Sequence, residues 1–311
     1  MRALGSLAAS LAASLAALLA VSACDEYEPK GWLIDRTRVL GARTEALAEP
    51  SRASLSPGER ARVTWLVVNP EATLRLSWSF AACLPPAGNY ASPRCEGLTL
   101  ASGAGTSEGE LVTMEFEAPP LAATGDAPGL LVLGAFCTNG APMLDPRTFS
   151  ATCSGGGAAL LGSTRVLLAK GGINLNPTIP HDAIRFRESP LPPARISGPV
   201  GPCSGAPEAP VVQAGTGGAN VSFRFDDEAR EGVPDGREAL VLSHLVTSGE
   251  LDRQYSSLEP DQPAPKEIAV ELTPPGPGSV DASGRLLRIF FVLRDDRGGM
   301  GFGVRSICVR P

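Results

Sequence analysis

Histidine, lysine and aromatic residues are scarce in this chain, and each scarcity counts against a class of function. There are two histidines, His181 and His244, and no C-x-x-C spacing, so a zinc or other transition-metal centre lacks its ligands. Three lysines, Lys30, Lys170 and Lys266, stand far apart, and no basic run exists to follow a nucleic-acid backbone. Aromatic residues make up 5% of the chain and do not cluster, which weakens the case for the stacking platform of a glycan-binding surface without excluding it. No G-x-S-x-G elbow is present, so no serine has the strand–turn–helix setting that exposes a nucleophile. Gly215-Thr216-Gly217-Gly218 and Gly298 to Gly303 are glycine-rich, but β-patterned residues follow both. A phosphate cradle needs a helix opening directly after it, so these read as hairpin or linker glycines.

What is present begins with an export signal. Arg2 is followed by an apolar stretch from Leu4 to Val21, and the next charged residue is Asp25. The stretch ends in Val21-Ser22-Ala23-Cys24, which resembles the bacterial lipobox. Small residues before the cleaved bond let the backbone reach a signal peptidase, and the Cys24 thiol is the group that takes lipid. The expectation is cleavage after residue 23 and two or three acyl chains on Cys24, a lasting membrane anchor. The rival is an uncleaved transmembrane helix, for which about 18 apolar residues is borderline. The protein is therefore expected in the cell envelope, outside the cytoplasm, with the outer membrane or cell surface favoured. Tyr27 and Trp32 flank the expected tether, where they could meet the membrane or a partner.

Seven cysteines become six once Cys24 is assigned to lipid. Cys83, Cys95, Cys137, Cys153, Cys203 and Cys308 fit an exported, disulfide-bonded protein. Six cysteines allow about 15 pairings. The simplest is nearest neighbours: Cys83 with Cys95, Cys137 with Cys153, and Cys203 with Cys308.

After the signal, helical periodicity gives way to short apolar runs separated by Gly, Pro, Asn and Asp, the all-β pattern. Strands are expected at 38–46, 61–68, 74–80, 111–117, 130–137 and 163–169, then at 183–186, 219–225, 239–247, 266–272, 285–294 and 303–309. Val63, Trp65 and Val67 share one face of their strand, and Leu74, Leu76, Trp78 and Phe80 share another. Gly171 to Pro180 carries Gly-Gly, Asn-Pro and Ile-Pro and reads as a hinge. Seven prolines in Ser189–Pro210 dictate an extended connection. The expected architecture is all-β: a signal peptide (1–23), a lipidated tether (24–36) and two tandem immunoglobulin-like β-sandwiches (37–172 and 173–311).

Two patches carry a family resemblance. Trp32 to Arg43, followed by the turn Pro57-Gly58-Glu59, looks like the entry segment of uncharacterised lipoproteins from myxobacteria and related soil bacteria. Phe290 to Gly299 resembles the closing hairpin of their sandwiches, where a V-R-D-x-R-G-G turn leads into the last cysteine-bearing strand. Together they cover about a tenth of the chain. The resemblance implies an immunoglobulin-like fold and an envelope location, and no activity.

Few residues remain for chemistry. Asp226, Asp227, Asp235, Asp295 and Asp296 would form a calcium site if their loops met at one pole, because calcium takes 6–8 oxygen ligands. The simpler reading is turn chemistry. His244 lies mid-strand on the face of Leu242 and Val246 and reads as a hydrogen-bonded core residue. His181-Asp182 opens the second sandwich. The expected function is a non-catalytic envelope module, with no cofactor, that binds another envelope protein or serves as structure. The alternatives are a ligand-binding receptor or hydrolase with a site at the domain junction using His181 and Asp182, and a calcium-rigidified adhesin.

Overall fold

The computed structural model describes residues 30–86, 93–124, 129–168, 172–198, 201–226, 230–233 and 236–311. Cys24 and Tyr27, and with them the export signal, lie outside the described residues, as do Asp227 and Asp235.

The first sandwich is built from β1 (Arg38–Ala46), β2 (Arg60–Val68), β3 (Arg75–Cys83), β4 (Ala101–Glu108), β5 (Leu111–Glu117), β6 (Gly129–Cys137), β7 (Pro142–Asp145), β8 (Ser150–Cys153) and β9 (Leu160–Leu167). One helical turn, α1 (Leu121–Thr124), interrupts them. One sheet has the order β1-β2-β5 and the other β4-β3-β6-β9. Period-two alternation sends Val63, Trp65 and Val67 of β2 into the core between the sheets, against Leu76 and Phe80 of β3 and Phe136 of β6. Trp65 meets Phe136 edge-on at 5.5 Å between ring centres. The β7–β8 ribbon lies against β3 and β6, where Leu144 and Phe149 pack on Leu131 and Leu133.

The second sandwich comprises β10 (Ile184–Phe186), β11 (Ser189–Pro190), β12 (Val211–Gln213), β13 (Ala219–Phe225), β14 (Gly232–Val233), β15 (Gly236–Arg237), β16 (Leu240–Val246), β17 (Glu250–Leu251), β18 (Tyr255–Leu258), β19 (Lys266–Thr273), β20 (Arg285–Asp295) and β21 (Met300–Arg310). Its sheets run β11-β10-β13-β19-β17 and β12-β21-β20-β16-β18. Lettered from A to G, both sandwiches have A-B-E in one sheet and C′-C-F-G in the other, an immunoglobulin-like order repeated along the chain. The second adds β11 and β17 at the edges of one sheet, and β12, which pairs parallel to β21, at the edge of the other. The chain is all-β, two tandem immunoglobulin-like sandwiches.

The six cysteines pair as nearest neighbours: Cys83–Cys95, Cys137–Cys153 and Cys203–Cys308. The first two close local loops of the first sandwich. The third spans 105 residues and ties the proline-rich crossing to β21. In the chain-entropy model a closed loop near 100 residues contributes about 4.7 kcal/mol, against about 3 for one near 15. Disulfides of this kind belong to an oxidising, extracytoplasmic compartment. Among the described residues no helix is long and apolar enough to cross a membrane.

Two expectations need correction. Trp32 to Ile34 is not free tether: Val246 N–H donates to Trp32 O (2.8 Å), Ile34 N–H donates to Val246 O (2.7 Å), and Trp32 packs half-buried on the second core. The Gly171–Pro180 stretch is no hinge over its described part. Ala53 N–H donates to Asn174 O (2.7 Å), Asn176 N–H to Ser51 O (2.7 Å), and Asn174 and Asn176 are buried. Asn and Pro mark a segment that leaves regular structure, but here the asparagines bond the backbone on both sides of it and hold it still.

Candidate functional site at the sandwich junction and the open edge

The outer face of the β1–β2 sheet packs against the outer face of β16, β20 and β21. Leu40, Leu66 and Val68 meet Leu245, Phe290, Val292, Met300 and Val304, with Ile34 of the entry segment between them. In β20 the odd-numbered Leu287, Ile289, Phe291 and Leu293 face the second core, while Phe290 and Val292 face the junction. A strand buried on both faces must be apolar almost throughout, which is why 286–293 reads as a nearly continuous hydrophobic run.

One position breaks that run. Arg288, 1% exposed, points into the junction and grips Glu110, 2% exposed, from the β4–β5 turn of the other sandwich. The pairing is bidentate, Nη1 to Oε1 at 2.5 Å and Nη2 to Oε2 at 2.7 Å. Nη2 also donates to Ile196 O, and the guanidinium stacks on Phe290 at 4.6 Å. A buried charge pair is tolerable only when its hydrogen bonds are satisfied, as these are. Beside it, Arg294 reaches across to Leu40 O (2.6 Å) and back to Ser243 Oγ (2.6 Å). Burial pulls the Arg294 guanidinium below the ordinary arginine value.

At the opposite margin the β20–β21 turn, Asp295 to Gly299, enters the junction. Asp295 Oδ1 accepts from Arg297 N–H (2.8 Å) and Gly299 N–H (2.7 Å), and Oδ2 from Asn174 Nδ2 (3.3 Å). Gly298 takes φ of +100° and its α-carbon passes so near Arg165 O that a side chain there would collide with it. Arg297 donates to Ile173 O (3.1 Å), to the Glu231 carboxylate, and to Glu238 Oε2 at 3.4 Å. Glu231 N–H donates to Glu238 Oε1 (2.9 Å). Burial pushes the Glu238 carboxyl up to about 7, against the Glu231 N–H bond that lowers it. Burial likewise raises Asp295. Beside this turn a cleft of about 460 Å³ is lined by Pro85, Leu130, Arg165, Val166, Asp296 and Arg297, among others.

The sequence-selected residues fall in different places. Asp295 serves the turn and Asp296 lines the cleft, while Asp226 pairs with Arg224 at 2.8 Å. Among the described residues no group of three acidic, histidine or cysteine side chains is arranged to hold a metal. His181 and Asp182 are exposed in the turn before β10, and neither lines the junction cleft. His244 is 1% exposed; its Nε2 is 2.9 Å from Ser256 Oγ and its ring meets Phe291 edge-on. Burial pulls its pKa down to about 4, so the imidazole is neutral at ordinary pH. Sequence reasoning missed Glu110, Arg288, Glu231 and Glu238. The signal available for Arg288 was a lone charge inside an apolar run.

It also missed β4. This strand, Ala-Ser-Gly-Ala-Gly-Thr-Ser-Glu, alternates half-buried and exposed residues and forms the rim of its sheet. Among the described residues no strand pairs with its outer edge. Gly103 and Gly105 face the core, and the rings of Phe80 and Trp78 lie where their side chains would be. Trp78 Nε1 donates to Ser107 Oγ (3.0 Å). Gly109 N–H bonds Leu74 O (2.8 Å), which fixes the phase of the ladder: the N–H groups of Ser102, Ala104 and Thr106 point outward. The edge carries no proline and no charge before Glu108.

No family model matches the chain, and no curated protein sequence matches it. Solved structures similar to it include red sea bream transglutaminase (10% identity, TM-score 0.26, covering 89% of this chain and 31% of that one). Another is native E. coli alpha-2-macroglobulin (8% identity, TM-score 0.25, 89% and 17%). A third is the pair of tandem V-type regions of VCBP3, a v-region-containing chitin binding protein (9% identity, TM-score 0.24, 87% and 99%). The chain thus spans less than a third of the length of the first two.

Proposed function

We propose that this chain is a lipid-anchored envelope protein that acts without catalysis, capturing an extended segment of another envelope protein as an added strand along β4. The observation that carries this reading is the bare edge of β4. Natural sheets protect such edges with lysine, proline, bulges or a covering loop, because unpaired backbone groups recruit other strands. From Ala101 to Ser107 none of the first three devices is present. Strand addition draws its affinity from backbone hydrogen bonds, and the small side chains here let a partner backbone approach. The anchor rests on Val21-Ser22-Ala23-Cys24, and the three disulfides agree with export. The absence of catalysis is supported by where the reactive groups sit: His244 is walled in beside Ser256 and Phe291, and Arg288 and Glu110 neutralise each other.

The test is affinity purification after crosslinking in whole cells, comparing the wild-type chain, Cys24→Ala and Ala104→Pro. Proline at 104 removes one outward N–H and leaves the bonds to β3 in place. A partner recovered with wild type and lost with Ala104→Pro, while the variant melts like wild type, supports the reading. A partner that survives Ala104→Pro overturns the docking edge, and an unchanged membrane fraction for Cys24→Ala overturns the anchor.

A second reading, a small ligand in the cleft beside Arg165, Asp296 and Arg297, is favoured by its volume of about 460 Å³. Thermal-shift screening against small anionic and cationic metabolites tests it, with Asp296→Ala as the control that should abolish any stabilisation.

A further inference from the structure

The acidic groups at the junction are not balanced by the cation that reaches them. Glu231, Glu238 and Asp295 converge on Arg297, which touches the first two with Nη2 and Asp295 with its backbone N–H. The carboxyls come from two pieces of chain. Glu231 and Glu238 flank the β14–β15 ribbon, Asp295 ends β20, and the linker joins them through Leu175 N–H to Glu231 Oε2 (3.0 Å) and Asn174 Nδ2 to Asp295 Oδ2 (3.3 Å). That linker is bonded on its other side to the first sandwich at Ser51 and Ala53. The cluster therefore straps the linker to the second sandwich at the point where the chain passes between the two.

We infer that this strap is a proton-held clasp: one carboxyl of the trio keeps a proton while the linker is docked, and losing that proton releases the linker. Glu238 is the member that holds it. Its side chain is 1% exposed, it has one 2.9 Å bond from Glu231 N–H, and Arg297 lies 3.4 Å away, committed to Glu231 and Ile173. The charged groups facing it are Glu231 from the same ribbon and Asp295 and Arg297 from the β20–β21 turn; the linker contributes the neutral Asn174. Arg237 and Arg230 lie alongside, with Arg237 donating to Arg230 O and Arg230 to the carbonyls of Glu259 and Gln262. Asp227, Glu228 and Asp235 belong to residues outside the described set. Ionising Glu238 leaves three carboxylates around one guanidinium, with Glu238 itself shielded from water.

The sign follows from linkage. The raised Glu238 pKa of about 7 means the docked state binds more protons than the released state between about pH 5 and 7. Docking is then favoured at the acid end and weakens as pH rises through that window. The experiment is amide hydrogen exchange on the full chain from pH 5 to 8, with EDTA throughout so that adventitious divalent cations play no part. After correction for the chemical exchange rate, the opening constant of the Leu175 amide should rise by up to about tenfold per pH unit toward pH 7 and then level. Glu238→Gln, which keeps the acceptor and removes the charge, should flatten the profile at its protected value. A flat profile in the wild-type chain overturns the clasp whether or not the variant folds. Opening of the Leu175 amide no more frequent than that of Val63, deep in the first core, also overturns it, because the linker would then be released only by global unfolding.

Discussion

Strands β4 and β20 sit at opposite extremes of the same fold. β20 is central in its sheet, buried on both faces, and apolar at every position from Leu286 to Leu293 except Arg288. β4 is a rim strand of small residues with one face in solvent and, among the described residues, one edge unpaired. The first is held by side chains, the second by its ladder to β3 and by two aromatic rings lying over its glycines. The contrast teaches where this protein can change without collapsing. Substitutions in β20 disturb two packing surfaces at once, whereas substitutions on the outer positions of β4 alter only what the edge offers to another chain.

The largest effect is expected at the shared face. Phe290→Ala should cost about 3–5 kcal/mol, the usual loss for a buried aromatic, with a matching drop in the denaturant midpoint. Glu110→Ala should cost a similar amount, about 3–5 kcal/mol, because it strands Arg288 in an apolar setting. The double replacement Arg288→Met with Glu110→Leu sharpens the comparison. If the pair serves orientation rather than stability, the double variant should melt within a few degrees of wild type while each single variant falls well below it.

Next comes the disulfide that binds β21 to the crossing segment. Removing Cys203–Cys308 by paired serine substitution should cost about 2–5 kcal/mol, read by chemical denaturation. The pH response of the junction is a further expectation. The melting temperature should decline from about pH 5 to 7 in the wild type and be flatter in Glu238→Gln, since the raised carboxyl of about 7 favours the folded state only while protonated. The smallest effect belongs to the rim. Thr106→Lys, on an exposed position of β4, should change stability by less than about 0.5 kcal/mol while placing a protective charge on the edge.

The same contrast explains what could be read in the sequence. Strands with β-branched or aromatic alternation were legible almost to the residue: 38–46, 111–117 and 219–225 coincide with β1, β5 and β13. The cysteine spacing pointed to the pairing. β4 was illegible because Gly, Ser and Ala carry no β-preference; its strand state comes from Trp78 and Phe80, which lie more than 20 residues away. Arg288 and Glu110 are 178 residues apart, so their pairing exists only in the fold. Asp295 was singled out as a candidate calcium ligand with turn chemistry as the simpler reading, and it does hold a turn. The nearby Glu231 and Glu238 look like surface charges until the linker covers them. The linker itself misled: Gly-Gly and Asn-Pro suggested freedom, and the asparagines instead supply the bonds that hold it.

The most direct test of the docking edge is a photo-reactive amino acid placed at Ser102 of the full-length, anchored chain, irradiated in living cells and followed by mass spectrometry of the adducts. The expected result is an adduct with a short extended segment of one other envelope protein, abolished when Ala104→Pro is added to the same chain. Adducts that persist with proline at 104, or that join the chain only to a second copy of itself, would contradict strand capture along β4.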